Sequence, residues 1–463
     1  MIKFLRYIPK VIHLLYIVSK YRVLIDSGHF ELPLSVKILG RICAIFLCPI
    51  ALFTKSNLNF GQRLAGLFQS LGPIYIKFGQ TLSTRPDLIG KEVADSLKYL
   101  QDKLPPFSAG IVRARIEERF GQKISDLFDS FEDIPVAAAS IAQVHKAKLK
   151  SGEIVAVKIL RPNIAENYEE DIAFLEYGAE IITRFLKKAK RLRPKEVMSV
   201  FRQSMKLELN LRSEAAAASR IFDNFINDNT LHIPKIYWHL THDDIITLEW
   251  IDGVSIYDRN SIKKLGLDPK NIAATIAVIF FNQAYRDGFF HADLHPGNIL
   301  VLPNGKVALV DFGIIGILAE EDRLAIAEIL YAFLKRDYKL VAEIHHRASY
   351  IPKDTNLEYF AQSCRAVAEP IIGLAIKNIS IGNLLAQLFK VTEEYGMETQ
   401  PQLLLLQKTM VVVEGIGQSL DEDINMWQLA EPWIKKWAAK NISPEARLLR
   451  MIKKILDKMM YSQ

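Results

Sequence analysis

The chain has 463 residues, half of them hydrophobic and 24% charged, which excludes a predominantly disordered protein and gives length for about three domains or for a two-lobed enzyme with long extensions. Its 59 lysines and arginines against 52 aspartates and glutamates leave a formal charge of +7, a balance that favours anionic partners such as nucleotide, nucleic acid or acidic lipid without choosing among them. The three cysteines, Cys43, Cys48 and Cys364, and the lack of a Cys/His cluster at ligand spacing argue against a disulfide framework or a zinc site and fit a reducing, cytosol-facing compartment.

Helical periodicity runs from Met1 to about Leu104. Lys3, Arg6, Lys10 and Lys20 interrupt the first apolar stretch, and no small-residue cleavage site follows, so a secretory signal is not expected. The apolar run Ile42–Phe53 is far short of the ~18 to 20 residues that span a bilayer and reads either as a buried helix or as a segment dipping into a membrane surface. Gly72-Pro73 should end one helix and open the next, placing Lys77 and Gln80 on one face of the new helix. Leu104-Pro105-Pro106 then breaks the helical pattern and marks a boundary.

Two β-rich segments follow, Ile134–Leu149 and Ile154–Leu160, around the turn Lys150-Ser151-Gly152-Glu153. The first contains an alanine cluster, Ala137-Ala138-Ala139-Ser140, at the position where a kinase carries a glycine-rich loop over the phosphates. Alanine's Cβ restricts the backbone that glycine leaves free, so phosphate contacts should differ there. The second segment, Ile154-Val155-Ala156-Val157-Lys158, has the form of the strand whose lysine clamps phosphates, with Val155 and Val157 facing inward. Helices are expected from about Arg161 to Arg220, where Glu208 and Glu214 are the available ion-pair partners for Lys158.

His232–Trp238 and Ile245–Trp250 read as further strands, and Ile251-Asp252-Gly253 as a hinge into a mainly helical second half. The densest constellation is His291-Ala292-Asp293-Leu294-His295-Pro296-Gly297-Asn298, followed by a hairpin about Pro303-Asn304-Gly305 and then Asp311-Phe312-Gly313. This is the spacing of a kinase catalytic loop and its metal-binding triplet. Phosphoryl transfer asks a protein mainly for positioning and charge neutralisation. Asn298 and Asp311 are therefore read as Mg²⁺ ligands, Asp293 as the group that orients or deprotonates a nucleophile, and His291 as a support of the loop rather than a metal ligand. Ala292 stands where many kinases carry an arginine, and no Ala-Pro-Glu follows, so regulation by activation-loop phosphorylation and a standard peptide-docking surface are not expected.

With Lys77-Phe78-Gly79-Gln80, the alanine loop, Lys158, Glu208-x-Asn210, Glu214, the His291–Asn298 loop and Asp311-Phe312-Gly313 in this order, the chain resembles the UbiB family of atypical kinase-like proteins over roughly Leu71–Trp427. The resemblance implies an α+β, two-lobed protein-kinase-like fold, with a small β-rich N-lobe, a helical C-lobe and a helical N-terminal extension. The corresponding boundaries are 1–105, 106–252, 253–430 and a basic tail at 431–463. It also implies ATP or ADP with Mg²⁺ as cofactors, and Glu214 as the partner of Lys158. Nucleotide contacts would come from Ala137, Ala138, Ala139, Ser140, Lys158, Glu214, Glu249 and Ile251, with Lys158 and Asp293 catalytic. Lys77, Gln80, Glu208 and Asn210 would be regulatory, lying over the nucleotide site. Asn210 occupies a position where the family often has aspartate, which predicts a weaker Lys77 contact.

The implied activity is that of a kinase-like ATPase supporting ubiquinone biosynthesis, extracting or presenting polyprenyl-phenol precursor lipids. The alternatives are a true protein or small-molecule kinase and a non-catalytic nucleotide-switched scaffold. Expected partners are nucleotide, an anionic membrane surface, quinone-precursor lipids and other quinone-biosynthesis enzymes, with no nucleic acid. The tail from Ser443-Pro444 carries Leu448, Leu449, Ile452, Ile455, Leu456 and Met459 at helical spacing among basic residues, which suits either a peripheral helix on the cytoplasmic face of the inner membrane or a helix docked on the protein's own C-lobe.

Overall fold

The computed structural model describes residues 2–24, 34–49, 58–83, 89–97, 100, 105–185, 194–372, 381–397, 401–424 and 426–441. The basic tail predicted from Ser443 onward lies outside the described residues. The chain divides into two compact units: residues 1–212 with 237–247, and residues 213–236 with 248–463.

The first unit begins with the helices Ile2–Lys20, Leu34–Leu47, Phe60–Leu71, Pro73–Ser83 and Lys91–Leu97. Asn59 starts the third of these with a capping box: its side chain accepts from Gln62 N at 2.8 Å, and Gln62 Oε1 accepts from Asn59 N at 3.0 Å, which satisfies two backbone donors that a helix start leaves unpaired. The break expected at Gly72-Pro73 is present. Gly72, at φ 114°, donates its N–H to Phe68 O at 3.3 Å and ends one helix, while Pro73, with no N–H to satisfy, opens the next. Leu67, Phe68, Tyr75, Leu97, Leu100 and Phe174 form the core beneath these helices.

The sheet of this unit runs in the order β1 (Phe128–Phe131), β3 (Ala142–Leu149), β4 (Ile154–Leu160) and β6 (Ile245–Glu249), with β2 (Ala137–Ala138) paired to β3. The β3–β4 hairpin has the predicted turn, with Lys148 opposite Ile154 and Ala142 opposite Leu160. Burial alternates along β4 from Ile154 to Ile159: Val155, Val157 and Ile159 are fully buried, and Ile154, Ala156 and Lys158 face the other way. Their buried face packs with Val112 and Ile116 of the helix Ala109–Phe120 and with Tyr237 and Ile245. The helices Ile164–Phe185 and Pro194–Glu208 follow.

The strand expected over His232–Trp238 is not formed as such. β5 is only Leu231–His232, Ile236 makes an isolated bridge to Leu248, and Trp238–Leu240 is a 3-10 turn. Pro234 has no N–H for a ladder, so pairing cannot continue through it.

In the second unit, β5, β7 (Val254–Ser255), β9 (Ile299–Val301) and β10 (Val307–Leu309) form a four-stranded sheet in the order β5-β10-β9-β7. The β9–β10 hairpin is the one read from Pro303-Asn304-Gly305. Gly305 sits at φ 82°, and Asn304 Oδ1 accepts from Lys306 N at 3.1 Å, so asparagine and glycine supply the turn. A two-stranded ribbon pairs β8 (Phe289–His291) with β11 (Ile315–Ile317). Among the described residues the unit's longer elements are helices, including Pro269–Phe281, Glu320–Leu334, Tyr338–Arg347 and Pro401–Leu420, around one core that contains Phe280, Phe290, Phe312, Phe333 and Met410.

Candidate functional site

The catalytic-loop residues belong to the second unit and are held by their own backbone. β8 leads in at His291, whose Nδ1 accepts from Asp293 N at 3.2 Å. Its backbone N–H donates at 2.9 Å to Oε1 of Gln283, a buried residue on the π-helical turn Asn282–Asp287. Burial pushes the His291 pKa down, while Asp293 and Asp311 pull it the other way. The loop then tightens. His295 N donates to Asp293 O at 2.6 Å, Asn298 N donates to His295 O at 2.7 Å, and the Asn298 Nδ2 donates to Asp293 O at 3.1 Å. That last bond turns the Asn298 amide oxygen away from the carbonyl, and an amide oxygen is a hard donor of the kind Mg²⁺ takes.

β11 closes this loop against the metal triplet, with Ala292 N donating to Ile314 O at 3.0 Å. Asp311 stands at φ 61°, a left-handed conformation that aspartate tolerates better than most residues but that still costs about 1–2 kcal/mol. The conformation lets Asp311 Oδ1 accept from Gly313 N at 3.3 Å. Phe312 turns into the core, 1% exposed, with its ring 5.5 Å from that of His291. Glu214, 4% exposed, accepts from Phe312 N at 3.4 Å, so the predicted ion-pair glutamate also anchors the triplet. Asn298 and Asp311 each carry a hard oxygen donor, and among the described residues no group of three or more His, Cys, Asp or Glu converges as a metal cluster.

Glu249 lies at the end of β6. Its carboxylate accepts from His232 Nε2 at 3.1 Å and from Lys235 N at 3.1 Å, and the His232 bond is the main reason its pKa is lowered. Its side chain is thus occupied at the segment leading to Ile251, which leaves backbone groups as the means of contacting a ligand there.

In the first unit, register brings two predicted features together. Ala137 is opposite Val144, and Val144 is opposite Lys158, so the alanine strand and the lysine share one row and one face of the sheet. Ala139 N donates to Ala142 O at 2.8 Å across a tight turn in which Ser140 is fully buried. Sequence reasoning did not single out the residue that secures this turn. Arg161 donates from Nη2 to Ala139 O and to Pro105 O, each at 2.9 Å, and from Nε to Ala139 O at 3.2 Å. The signal was its place directly after the lysine strand and before Pro162.

Each residue of Lys77-Phe78-Gly79-Gln80 has a defined role within the same unit. Lys77 Nζ is 3.2 Å from Glu208 Oε2, with side chains 16% and 11% exposed. The Phe78 ring meets Phe201 at 5.1 Å and Phe68 at 6.0 Å. A Cβ on Gly79 would stand 2.4 Å from Leu100 Cδ1 and 2.6 Å from Phe68 Cδ2, so only glycine fits without repacking. Gln80 Nε2 lies 3.4 Å from Leu100 O. Phe201 and Glu208 are two turns apart on the helix Pro194–Glu208, so one helix face receives both Phe78 and Lys77. Asn210 caps the next helix, its Oδ1 accepting from Arg212 N at 3.0 Å, work that asparagine does as well as aspartate.

The sequence matches the ABC1 atypical kinase-like domain over residues 99–345 and the UbiB helical domain over residues 364–425. A "Probable protein kinase UbiB" of Marinobacter nauticus is 39% identical over 441 residues, 94% of this chain and 80% of that protein. One of Pseudomonas aeruginosa, strain LESB58, is 41% identical over 94% of this chain and 82% of its own length. A solved structure, an erythromycin complex of Rv3197 from Mycobacterium tuberculosis, superposes with a TM-score of 0.51 at 23% identity, covering 76% of this chain and 90% of that one, a likeness of fold. The fold is therefore α+β and protein-kinase-like, with a β-rich N-lobe, a helical C-lobe and a helical N-terminal extension. The chain belongs to the UbiB family of ABC1 atypical kinase-like proteins.

Proposed function

We propose that this chain is a kinase-like ATPase that binds ATP or ADP with Mg²⁺ and supports ubiquinone biosynthesis at a membrane surface, handling polyprenyl-phenol lipids for other enzymes of that pathway. The observation that carries the nucleotide part is the ordered loop Asp293–Asn298 joined through β8 and β11 to Asp311-Phe312-Gly313. In this reading Asn298 and Asp311 hold the metal, which neutralises phosphate charge when bound, and Asp293 orients the nucleophile. Lys158 meets the phosphates with Glu214 as its partner, and Ala137, Ala138, Ala139 and Ser140 cover them. The backbone of Glu249 and Ile251 meets the base. Lys77, Gln80, Glu208 and Asn210 form the regulatory element.

Membrane contact is supported by the helix Leu34–Leu47, on which Ile38, Ile42, Ile45 and Phe46 are exposed, Phe46 to 81%. Isolated exposed apolar residues are ordinary, but a group on one helix marks an interaction surface. Among the described residues no helix is long and apolar enough to cross a membrane. The N-terminal helix contributes less charge to lipid than its sequence implies, because Lys10 pairs with Asp171 at 2.8 Å and Glu170 at 3.2 Å.

The names of the relatives favour a second reading, protein phosphorylation. One experiment separates the readings: nucleotide turnover by the purified chain with Mg²⁺, with and without anionic liposomes and a phenolic quinone precursor. Phosphate release stimulated by lipid, with no phosphorylated acceptor, supports the ATPase. A phosphorylated protein or small molecule supports the kinase, and Mg²⁺-dependent binding without turnover supports a scaffold.

A further inference from the structure

The helix Pro401–Leu420 packs against β11 and brings two consecutive side chains to the catalytic loop. Lys408 Nζ is 3.5 Å from Asp293 Oδ1. The next residue, Thr409, is 1% exposed and places its hydroxyl 3.3 Å from Ala292 O and 2.8 Å from its own helix at Leu405 O. A buried hydroxyl shared between its helix and the loop fixes the helix where the lysine meets the aspartate.

A stability role does not account for Lys408. Both side chains of the pair are 40% exposed, and an ion pair that open to solvent contributes only about 0–1 kcal/mol. The helix is otherwise strongly apolar, Lys408 and Glu414 being its charged residues in PQLLLLQKTMVVVEGIGQSL. The loop itself, His291-Ala292-Asp293-Leu294-His295-Pro296-Gly297-Asn298, has no lysine or arginine. Of the two side chains after the aspartate, Leu294 is buried, and His295 Nδ1 accepts from Gly297 N at 3.0 Å. A fixed positive charge beside Asp293 therefore comes from a helix far along the chain.

We propose that Lys408 is a positioning residue for phosphoryl transfer: it holds the Asp293 carboxylate toward the nucleophile and puts a permanent cation beside the reacting phosphate. The inference rests on the nucleotide reading above. In the step it serves, the nucleophile's oxygen forms a bond to the γ-phosphorus as the β–γ bridging P–O bond breaks. The bridging oxygen leaves on ADP with the electron pair, and the nucleophile's proton passes to Asp293. Lys408 keeps its proton throughout, acting by charge and geometry, the two means on which phosphoryl transfer depends.

The test uses the full chain with Mg-ATP and the variants Lys408→Met, Lys408→Arg, Asp293→Asn and the double Asp293→Asn/Lys408→Met. Lys408→Met should lower kcat roughly 10- to 100-fold while the Kd for Mg-ADP, by titration calorimetry, changes about twofold or less. Lys408→Arg should recover part of the rate, and the melting temperature of Lys408→Met should stay within about 2 °C of wild type. In the Asp293→Asn background the lysine substitution should cost less than about threefold, because groups acting as a unit are not additive. If Asp293→Asn lowers turnover to a small residual rate while Lys408→Met leaves kcat unchanged or raises it, the inference fails and the nucleotide reading stands. If the wild-type chain neither binds nor turns over Mg-nucleotide, both fail.

Discussion

The Lys77–Glu208 pair makes the sharpest energetic prediction. At 3.2 Å, with side chains only 16% and 11% exposed, its gross Coulomb attraction is about 5 kcal/mol at an effective dielectric near 20. Most of that offsets desolvation, so the net worth of the pair is small. Removing one partner is different: Lys77→Met strands a carboxylate that is nearly nine-tenths covered, and such losses cost ~3 kcal/mol or more when burial is complete. Allowing for the residual exposure, we expect about 2 kcal/mol. The double variant Lys77→Met/Glu208→Gln should recover most of this, because no unpaired charge remains.

A single unfolding free energy is poorly defined for a chain of two compact units, so the assay is native-state hydrogen exchange on the helix Pro73–Ser83. A loss of about 2 kcal/mol corresponds to roughly 30-fold faster exchange in Lys77→Met, with near wild-type protection in the double variant. Salt at about 0.5 M should change the coupling little, since a covered pair is poorly screened. Equal protection in wild type and Lys77→Met, or additive losses in the double variant, would refute the reasoning and leave Lys77 as a solvated surface charge.

Arg161→Met should free the turn at Ala139–Ala142 and weaken nucleotide binding about tenfold, and Arg161→Lys should not restore it, because one ammonium cannot reproduce a fork that reaches Ala139 O and Pro105 O together; binding titrations on both variants decide this. Asp311→Asn should abolish the Mg²⁺-dependent part of nucleotide binding, measured by calorimetry with Mg²⁺ and with chelator, since it removes the carboxylate charge the metal needs. His345, fully buried with Nδ1 at 2.8 Å from Val341 O, has its pKa pushed down to about 4 by burial. Its folded pKa lies below the unfolded value near 6.5, so the unfolded chain binds the extra proton first. The stability it permits is complete above about pH 6.5 and is lost as pH falls toward 4, by an amount on the order of 3 kcal/mol. Thermal melts of wild type and His345→Leu across that window should show the steeper loss in wild type.

Local patterns in this chain carry a great deal. The strand Ile154–Leu160, the Pro303-Asn304-Gly305 hairpin and the Gly72-Pro73 junction stand where alternation and turn chemistry put them, because a pleat, a left-handed glycine and a missing proline N–H act within a few residues. Composition alone fails where a single residue vetoes the pattern. His232–Trp238 has strand-like composition, yet Pro234 interrupts the ladder and the chain settles for two paired residues, one bridge and a 3-10 turn.

Local and long-range determinants divide the candidate site. Asp293, Asn298, Asp311 and Lys158 are legible because their spacing along the chain reflects a local loop or strand. The residues that brace them are not: Gln283 holds the His291 backbone, Arg161 reaches back to Pro105 O, and Lys408 comes from 115 positions away. Each is an ordinary polar residue in its own segment, and its role exists only once tertiary packing delivers it. The Lys77 segment lies between these cases. Its helix start is written locally in Gly72-Pro73, but what Lys77, Phe78 and Gly79 meet is decided by Glu208, Phe201 and Leu100. Asn210 is a case in point: the position caps a helix through its Oδ1, and Glu208 supplies a carboxylate facing Lys77. An Asn210→Asp change would therefore leave the cap in place, because a carboxylate oxygen accepts from Arg212 N as the amide oxygen does.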